Sequence, residues 1–223
     1  MDLDSQKHRL LAHLRREIDD EDVLAAMERV PRELFVPETS RHLAYEDIPL
    51  PTSEGQTISQ PLIVALMTAA LRLKKTDKVL EMGTGSGYQA AILCLLAGQV
   101  ISVERLPPLA RAAQSLLHSL GYTNVSVRLA GQALGCPEEA PFDAIVVTAG
   151  APWLPRVLLD QLTDDGRLVI PVGSRIEQDL LLVNKTREGY SVKGLGPCRF
   201  VPLLGPGAWE DDESGPGKNE VPP

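Results

Sequence analysis

The chain has 223 residues, and its 30 Asp and Glu residues outnumber its 22 Lys and Arg residues to give a formal net charge of −8. This length suits one domain with a substantial core. The acidic balance argues against a general nucleic-acid-binding protein, because phosphate contacts need clustered basic side chains. No apolar run approaches the length of a membrane span, and the first five residues are too polar for a secretory signal. We therefore expect a cytoplasmic protein that binds no membrane, and we expect it to be a monomer.

The residues before position 78 have helical patterns over 5–18, 21–30 and 60–73. From residue 78 onward, strand and helix patterns alternate along the chain. The predicted strands are 78–82, 99–104, 125–130, 143–148 and 167–172, and the predicted helices between them are 86–97, 108–120 and 152–162. Alternation of this kind, with near-continuous apolar strands, predicts a doubly wound, mostly parallel α/β sheet that is covered on both faces.

These patterns predict a single domain over residues 1–209, with a helical N-terminal part (1–77) and an α/β core (78–209). The tail, 210–223, is rich in Pro, Gly, Asp and Glu, and we expect it to be disordered. The three cysteines, Cys94, Cys136 and Cys198, are scattered and show no metal or redox spacing. We interpret them as reduced thiols, and we expect no metal site.

The first predicted strand of the core ends in an acidic residue and a glycine-rich turn, Glu81-Met82-Gly83-Thr84-Gly85-Ser86-Gly87. Glycines at such a turn let the backbone approach a ligand closely. Glu104, at the end of the next strand, can accept hydrogen bonds from ribose hydroxyls. The third glycine comes one residue too early for the dinucleotide pattern, and Glu81 would repel a pyrophosphate. A cofactor with an ammonium and a sulfonium suits Glu81 better, and the turn resembles the opening of S-adenosylmethionine-dependent methyltransferases.

A second informative segment, Gln56-Thr57-Ile58-Ser59-Gln60-Pro61, precedes an apolar helical pattern. Two interpretations of Ser59 stay open. It can be the N-cap of the helix, with Pro61 in the first turn, since both are common choices at a helix start. Alternatively, its hydroxyl, that of Thr57 and the free backbone N–H groups can bind a carboxylate.

The sequence from about residue 24 to about residue 209 resembles the protein-L-isoaspartate O-methyltransferases, which methylate the α-carboxylate of isoaspartyl residues in damaged proteins. Besides the two segments above, the resemblance is carried by Val30-Pro31-Arg32-Glu33-Leu34-Phe35-Val36-Pro37, Ala44-Tyr45-Glu46-Asp47, Ser102-Val103-Glu104-Arg105, residues 140–149 and Arg199-Phe200-Val201-Pro202-Leu203. It implies a Rossmann-like methyltransferase fold with a seven-stranded sheet, S-adenosylmethionine as methyl donor, and isoaspartyl proteins or peptides as partners.

The resemblance also implies roles for individual residues. Ser59 and Thr57 would hold the acceptor carboxylate as catalytic residues, and Gln56 and Val201 would contact the substrate peptide. The implied cofactor-binding residues are Glu81, Gly83, Gly85, Glu104, Gly131, Gln132 and Gln178. An ionised carboxylate attacks without first losing a proton, so the reaction needs no strong general base.

Two departures from the family pattern leave alternatives open. Ala130-Gly131-Gln132 stands where the family has Gly-Asp-Gly, so we expect the Gln132 oxygen to replace the missing carboxylate near the adenine. Thr52 and Ser53 replace an Ile-Gly pair beside the acceptor segment. One alternative is a paralogue that methylates another carboxylate, such as aspartate in a dedicated peptide. The other is a cofactor-binding interaction module that has lost catalysis.

Overall fold

The first helix begins at an aspartate, because the Asp2 carboxylate accepts a hydrogen bond from the Ser5 N–H and so satisfies one of the free amides of the first turn. Asp20 does the same for the second helix through the Val23 N–H. The computed structural model of the chain describes residues 2–210. Its α-helices are α1 (Leu3–Leu14), α2 (Glu21–Arg29), α3 (Pro61–Leu71), α4 (Tyr88–Leu96), α5 (Pro107–Ser119) and α6 (Arg156–Asp160). Short 3₁₀ helices cover Arg32–Leu34, Glu38–Leu43, Ser53–Gly55 and Pro137–Glu139.

The strands form one large sheet and one small hairpin. The strands are β1 (Leu50–Pro51), β2 (Thr57–Ile58), β3 (Lys78–Met82), β4 (Gln99–Glu104), β5 (Val125–Leu129), β6 (Phe142–Val147), β7 (Leu162–Gly173), β8 (Gln178–Thr186) and β9 (Gly189–Cys198). The seven-stranded sheet has the order β5-β4-β3-β6-β7-β8-β9, and β1 pairs with β2 in the hairpin. Strands β5, β4, β3, β6 and β7 run parallel to one another, whereas β8 and β9 are added antiparallel at one edge.

The strand order places a crevice at the centre of the sheet. The chain runs outward from β3 through β4 to β5, and then returns to the other side of β3 as β6. Connections leave β3 and β6 in opposite directions, so a gap opens at their carboxyl ends, where ligands of doubly wound proteins bind.

Helices α3, α4 and α5 cover one face of this sheet, and α6 packs on the other face through Leu158 and Leu159. Helix α3 packs against β6 and β7, and α5 packs against β4 and β5. Helix α4 is almost wholly buried, because α2 packs on its outer side while its inner side contacts β4. The N-terminal helices therefore belong to the same packed structure as the sheet, and they bring the segment before α3 to the edge of the central crevice.

The predicted doubly wound, seven-stranded α/β fold is confirmed, with some local corrections. All five predicted strands are present within five residues of their predicted limits. The predicted helix 152–162 is wrong beyond Arg156–Asp160, because Pro155 precedes the helix and Leu162 already pairs with Phe142 as the start of β7. Strands β8 and β9 were not among the predicted strands.

Residues 211–223 of the tail that we predict to be disordered lie outside the described part of the chain. The division of the chain into an N-terminal part and a core stays a prediction. Nowhere between residues 2 and 210 is a helix long and apolar enough to cross a membrane.

Candidate active site

A cavity of about 370 Å³ occupies the crevice at the carboxyl ends of β3, β4 and β6. Its size is within the range of small-molecule sites. The wall is formed by residues 55–59, 82–86, 103–106, 148–149 and 201–204, together with Val64, Met67, Tyr88, Gln89 and Ala130. The glycine turn and the segment with Thr57 and Ser59 therefore face one common space, although they are separated in the sequence by α3 and β3.

The glycine turn forms the floor of this cavity and joins β3 to α4. Gly83 and Gly85 have positive φ angles of 98° and 53°, which side chains with a Cβ rarely adopt. A Cβ on Gly83 would also overlap Thr148 Oγ1. The Thr148 hydroxyl lies 2.9 Å from the Met82 carbonyl oxygen and 2.6 Å from that of Gly83, so it can donate to either of them. The end of β6 thus fixes the start of the turn.

The Glu104 carboxylate is oriented towards the cavity by two backbone amides. Gly85 N–H donates to Glu104 Oε2 at 2.8 Å, and Leu106 N–H donates to Oε1 at 2.9 Å. A carboxylate has about four lone-pair positions, so both oxygens keep acceptor capacity for a ligand. Glu104 is only 7% exposed and lines the cavity. Its geometry suits the acceptance of hydrogen bonds from a ribose, as predicted from the sequence.

Glu81 lies deeper than the sequence suggests. It is fully buried and is not part of the cavity wall. The Ser102 hydroxyl donates to Glu81 Oε2, and the Thr84 hydroxyl lies 2.5 Å from Ser102 Oγ. Burial raises the pKa of Glu81 to about 8, and the nearby Glu104 charge acts in the same direction. Without a ligand, this carboxyl is therefore mostly protonated at neutral pH.

The structure decides between the two interpretations of Ser59 at the start of α3. The N-cap position is held by Gln60, and Pro61 is the first helical residue. The amide at the helix start is satisfied by Asp47, whose Oδ1 accepts from the Leu62 N–H at 2.8 Å. Asp47 Oδ2 also accepts from Gln60 Nε2 at 2.8 Å. Of the two interpretations, the one in which Ser59 caps the helix is therefore wrong, and Ser59 is one of the residues of the cavity wall.

The other predicted acceptor residues lie beside Ser59. Thr57 and Gln56 line the cavity, and the β1–β2 hairpin pairs Thr57 with Pro51. Thr52 N–H donates to the Gln56 carbonyl oxygen at 2.8 Å and closes the loop between these strands. Val201 lines the cavity from the C-terminal side. The structure thus brings together all four residues predicted to contact the acceptor.

Three predicted cofactor residues besides Glu81 lie outside the cavity wall. Gln178 is buried, with Nε2 donating to the Ser174 carbonyl oxygen at 2.5 Å and Oε1 accepting from the Phe200 N–H at 2.8 Å. It therefore joins the β7–β8 turn to the segment that leads to Val201. Gly131 and Gln132 are exposed, and only Ala130 of their segment reaches the cavity. The structure gives no support for a Gln132 contact with the adenine, so that role stays a prediction.

Sequence reasoning missed Ser102, Thr148 and Asp47. Ser102 is the single polar side chain in the interior of an otherwise apolar strand, which is a signal that could have been used. Asp47 was quoted for the family resemblance, but its distance of 15 residues from Leu62 gives no local sign that it caps α3.

The residues present fit S-adenosylmethionine. The glycine turn allows close approach, Glu104 presents free lone pairs to a ribose, and Glu81 Oε1 is buried without a hydrogen-bond partner. A buried carboxyl oxygen in this state is stabilised by a nearby cation, and the cofactor carries two. Among residues 2–210 there is no group of three or more His, Cys, Asp or Glu side chains that could hold a metal ion. Fold and site together define an S-adenosylmethionine-dependent methyltransferase.

Comparisons with known proteins give the family. The family model described as Protein-L-isoaspartate(D-aspartate) O-methyltransferase (PCMT) matches residues 5–207, and the chain belongs to this family. It is 55% identical over 195 residues to protein-L-isoaspartate O-methyltransferase 1 of Syntrophobacter fumaroxidans, covering 87% of this chain and 91% of the relative. It is 57% identical over 196 residues to protein-L-isoaspartate O-methyltransferase 2 of Pelobacter propionicus, covering 87% of each.

Solved structures agree with this assignment. A protein-L-isoaspartate O-methyltransferase superposes with a TM-score of 0.81 at 29% identity, covering 89% of this chain and 66% of the other. A protein-L-isoaspartate O-methyltransferase of Plasmodium falciparum superposes with a TM-score of 0.73 at 29% identity, covering 86% of this chain and 95% of the other. That structure is a complex with S-adenosyl-L-homocysteine, the product of methyl transfer from S-adenosylmethionine.

Proposed function

We propose that this protein transfers a methyl group from S-adenosylmethionine to the α-carboxylate of L-isoaspartyl residues in damaged proteins and peptides. The observation that carries this proposal is the common cavity, in which the Thr57 and Ser59 segment faces the glycine turn and Glu104. A methyl donor and a carboxylate held by these two walls would lie next to each other. The two relatives named above are protein-L-isoaspartate O-methyltransferases, which favours this acceptor over aspartate in a dedicated peptide.

In the proposed reaction the main task of the protein is to position its two substrates. S-adenosylmethionine supplies a methyl group that is already activated by a sulfonium. Ser59 and Thr57 hold the acceptor carboxylate by donating from their hydroxyls, which leaves one oxygen free to attack. Holding two reactants in line accounts for a large part of the rate enhancement in such reactions. Glu104 would accept hydrogen bonds from the ribose, and the buried Glu81 would supply a negative charge that favours binding of a cationic cofactor.

The proposed function includes the peptide contacts, the oligomeric state and the location of the protein. Gln56 and Val201 flank the acceptor residues in the cavity wall and contact the substrate peptide. The protein acts as a monomer in the cytoplasm and binds no nucleic acid. Thr52 and Ser53 lie in the loop before Gln56, so they influence which residues next to the isoaspartate are accepted.

Methyl transfer to a matched pair of peptides tests the proposal. The two peptides are identical except for isoaspartate or aspartate at one position. We expect turnover with the isoaspartyl peptide alone. Turnover with the aspartyl peptide would support the paralogue, and cofactor binding without turnover on either peptide would support the interaction module. Both outcomes would refute the proposed reaction.

The Ser59→Ala variant tests the proposed role of the hydroxyl. A hydrogen bond to a charged group contributes about 1.5–3 kcal/mol, so we expect kcat/KM for the isoaspartyl peptide to fall about 10- to 150-fold. Because Ser59 does not cap α3, the melting temperature should change by no more than about 2 °C. Ser191→Ala is the matched control, since Ser191 is exposed on β9 and lies outside the cavity wall. Unchanged kcat/KM in Ser59→Ala would show that its hydroxyl does not hold the carboxylate.

A further inference from the structure

Arg32 is a buried charge that the proposed reaction does not use. It lies in Val30-Pro31-Arg32-Glu33-Leu34-Phe35-Val36-Pro37, and its side chain is 0% exposed. Burial lowers the pKa of its guanidinium from the ordinary value. A buried charge costs several kcal/mol in solvation unless it has partners, and an apolar side chain of similar volume is often no less stabilising. Packing alone therefore gives a poor account of an arginine at this position.

The contacts of Arg32 join the two walls of the cavity. Its Nη2 donates to the Ser59 carbonyl oxygen at 2.8 Å, and its Nε donates to the Ala44 carbonyl oxygen at 2.9 Å. The guanidinium carbon lies 4.7 Å from the centre of the Tyr88 ring, within the range of a cation–π contact. Tyr88 is the first residue of α4, directly after the glycine turn, and it lines the cavity. One rigid, planar group therefore contacts both the acceptor segment and the end of the cofactor turn.

The residues that follow Ser59 are held by Asp47. Its carboxylate accepts from Gln60 Nε2 and from the Leu62 N–H, both at 2.8 Å. Two side chains of opposite charge thus fix the chain at Ser59 and directly after it. Ser59 itself belongs to no helix or strand, so these side chains replace the hydrogen bonds that regular structure would supply.

We propose that Arg32 is a positioning residue for methyl transfer, which fixes the Ser59 backbone, and hence its hydroxyl, relative to the cofactor turn at Tyr88. The inference rests on the proposed function of Ser59. Lysine cannot replace this arginine, because an ammonium is a point charge that cannot make two directed bonds while stacking on a ring. A displacement of about 1 Å at such a position can cost two orders of magnitude in rate.

A double-mutant cycle separates positioning from stability. Arg32→Lys should lower kcat/KM for the isoaspartyl peptide about 10-fold or more, with cofactor affinity changed less than threefold. In the Ser59→Ala background the same substitution should cost less than about threefold, because the hydroxyl that Arg32 positions is already absent. Arg32→Gln is the second variant. Its side chain keeps one donor nitrogen and leaves no unpaired buried charge, so the folded protein should tolerate it better. If the losses of kcat/KM in the Arg32 variants and in Ser59→Ala multiply when the substitutions are combined, the proposal is overturned.

Arg167→Lys is the matched control. Arg167 donates to the Leu71 carbonyl oxygen at 2.8 Å and pairs with Asp77, so it holds the opposite end of α3. It should lower stability without a specific loss of kcat/KM. Activity losses that follow the melting temperature equally in both arginine variants would also refute positioning.

Amide hydrogen exchange provides a readout that does not depend on the substrate. Exchange of the amides of residues 57–60 should become about 10-fold faster in Arg32→Lys and stay unchanged in Arg167→Lys. Equal exchange in wild type and Arg32→Lys would refute the inference even if methyl transfer to isoaspartate is observed. Conversely, the wild type could show no methyl transfer while exchange is faster in Arg32→Lys. That result would refute the proposed function and still establish that Arg32 holds the Ser59 backbone.

Discussion

Glu81→Gln should remove a pH dependence of stability that the wild type owes to one buried carboxyl. The folded protein raises the pKa of Glu81 from an ordinary value of 4.5 to about 8, mainly through burial. Between these two values the unfolded chain has released the proton and the folded protein still holds it. Stability therefore falls as the pH rises, because the folded state binds more protons than the unfolded state in this window.

The size of the effect follows from the two pKa values. Each pH unit inside the window lowers the free energy of unfolding by about 1.4 kcal/mol. Between pH 5.5 and 7.5 the cofactor-free wild type should lose about 2.5 kcal/mol from Glu81, after allowance for the part that is ionised near pH 7.5. Urea unfolding of wild type and Glu81→Gln at both pH values isolates this contribution, since other titrating groups are common to both proteins.

Urea unfolding in the presence of S-adenosylmethionine tests whether Glu81 interacts with the cofactor. Stabilisation by S-adenosylmethionine should grow from pH 5.5 to 7.5 in the wild type, because its positive charges favour the ionised carboxyl that low pH removes. In Glu81→Gln it should depend little on pH. If wild type and variant differ in stability by the same amount at both pH values, Glu81 is ionised in the free protein and the reasoning from its burial is refuted.

Three further substitutions test the geometry of the site. Glu104→Gln should weaken cofactor binding about 10-fold or more in calorimetry, because hydrogen bonds to a charged acceptor contribute about 1.5–3 kcal/mol; an affinity within twofold of wild type would argue against its contact with the ribose. Gln132→Ala should leave cofactor affinity within about twofold, since this side chain is exposed outside the cavity wall, and a clear loss would restore the contact with the adenine predicted from the sequence. Gly83→Ala should lower the free energy of unfolding by at least about 1–3 kcal/mol through its positive φ angle alone, and removal of the Thr148 hydroxyl in the double variant should recover part of any further loss; unchanged stability in urea would contradict the described turn.

The acceptor segment shows how far local reasoning extends. The residues around Ser59 were recognised from their order, and the start of a helix at Pro61 was predicted within one residue. The sequence left open whether Ser59 caps this helix, and it does not, because Asp47 binds the Leu62 amide from a loop that is 15 residues earlier in the sequence. The sequence gives both residues, but only the folded chain shows which of them reaches the free amide of Leu62.

The cofactor residues divide in the same way. The glycine turn and Glu104 were found from the sequence, since strand ends and glycine spacing are local features. The depth of Glu81 and the internal role of Gln178 could not be predicted, because burial depends on neighbours that the sheet assembles from distant segments. Strands β8 and β9 were missed for a related reason. The exposed edge strand β9 has weak apolar patterning, and its place is set by pairing with β8.

The sequence by itself determined the fold class of this methyltransferase and identified the glycine turn and the segment with Thr57 and Ser59 as candidate sites, because strand periodicity, glycine spacing and side-chain chemistry act over short stretches of chain. Only the tertiary structure decided that Arg32 and Asp47 fix the chain at Ser59 and directly after it, and that Glu81 lies beneath the cavity with a raised pKa. Both outcomes depend on burial and on contacts between segments far apart in the sequence, which no local pattern records.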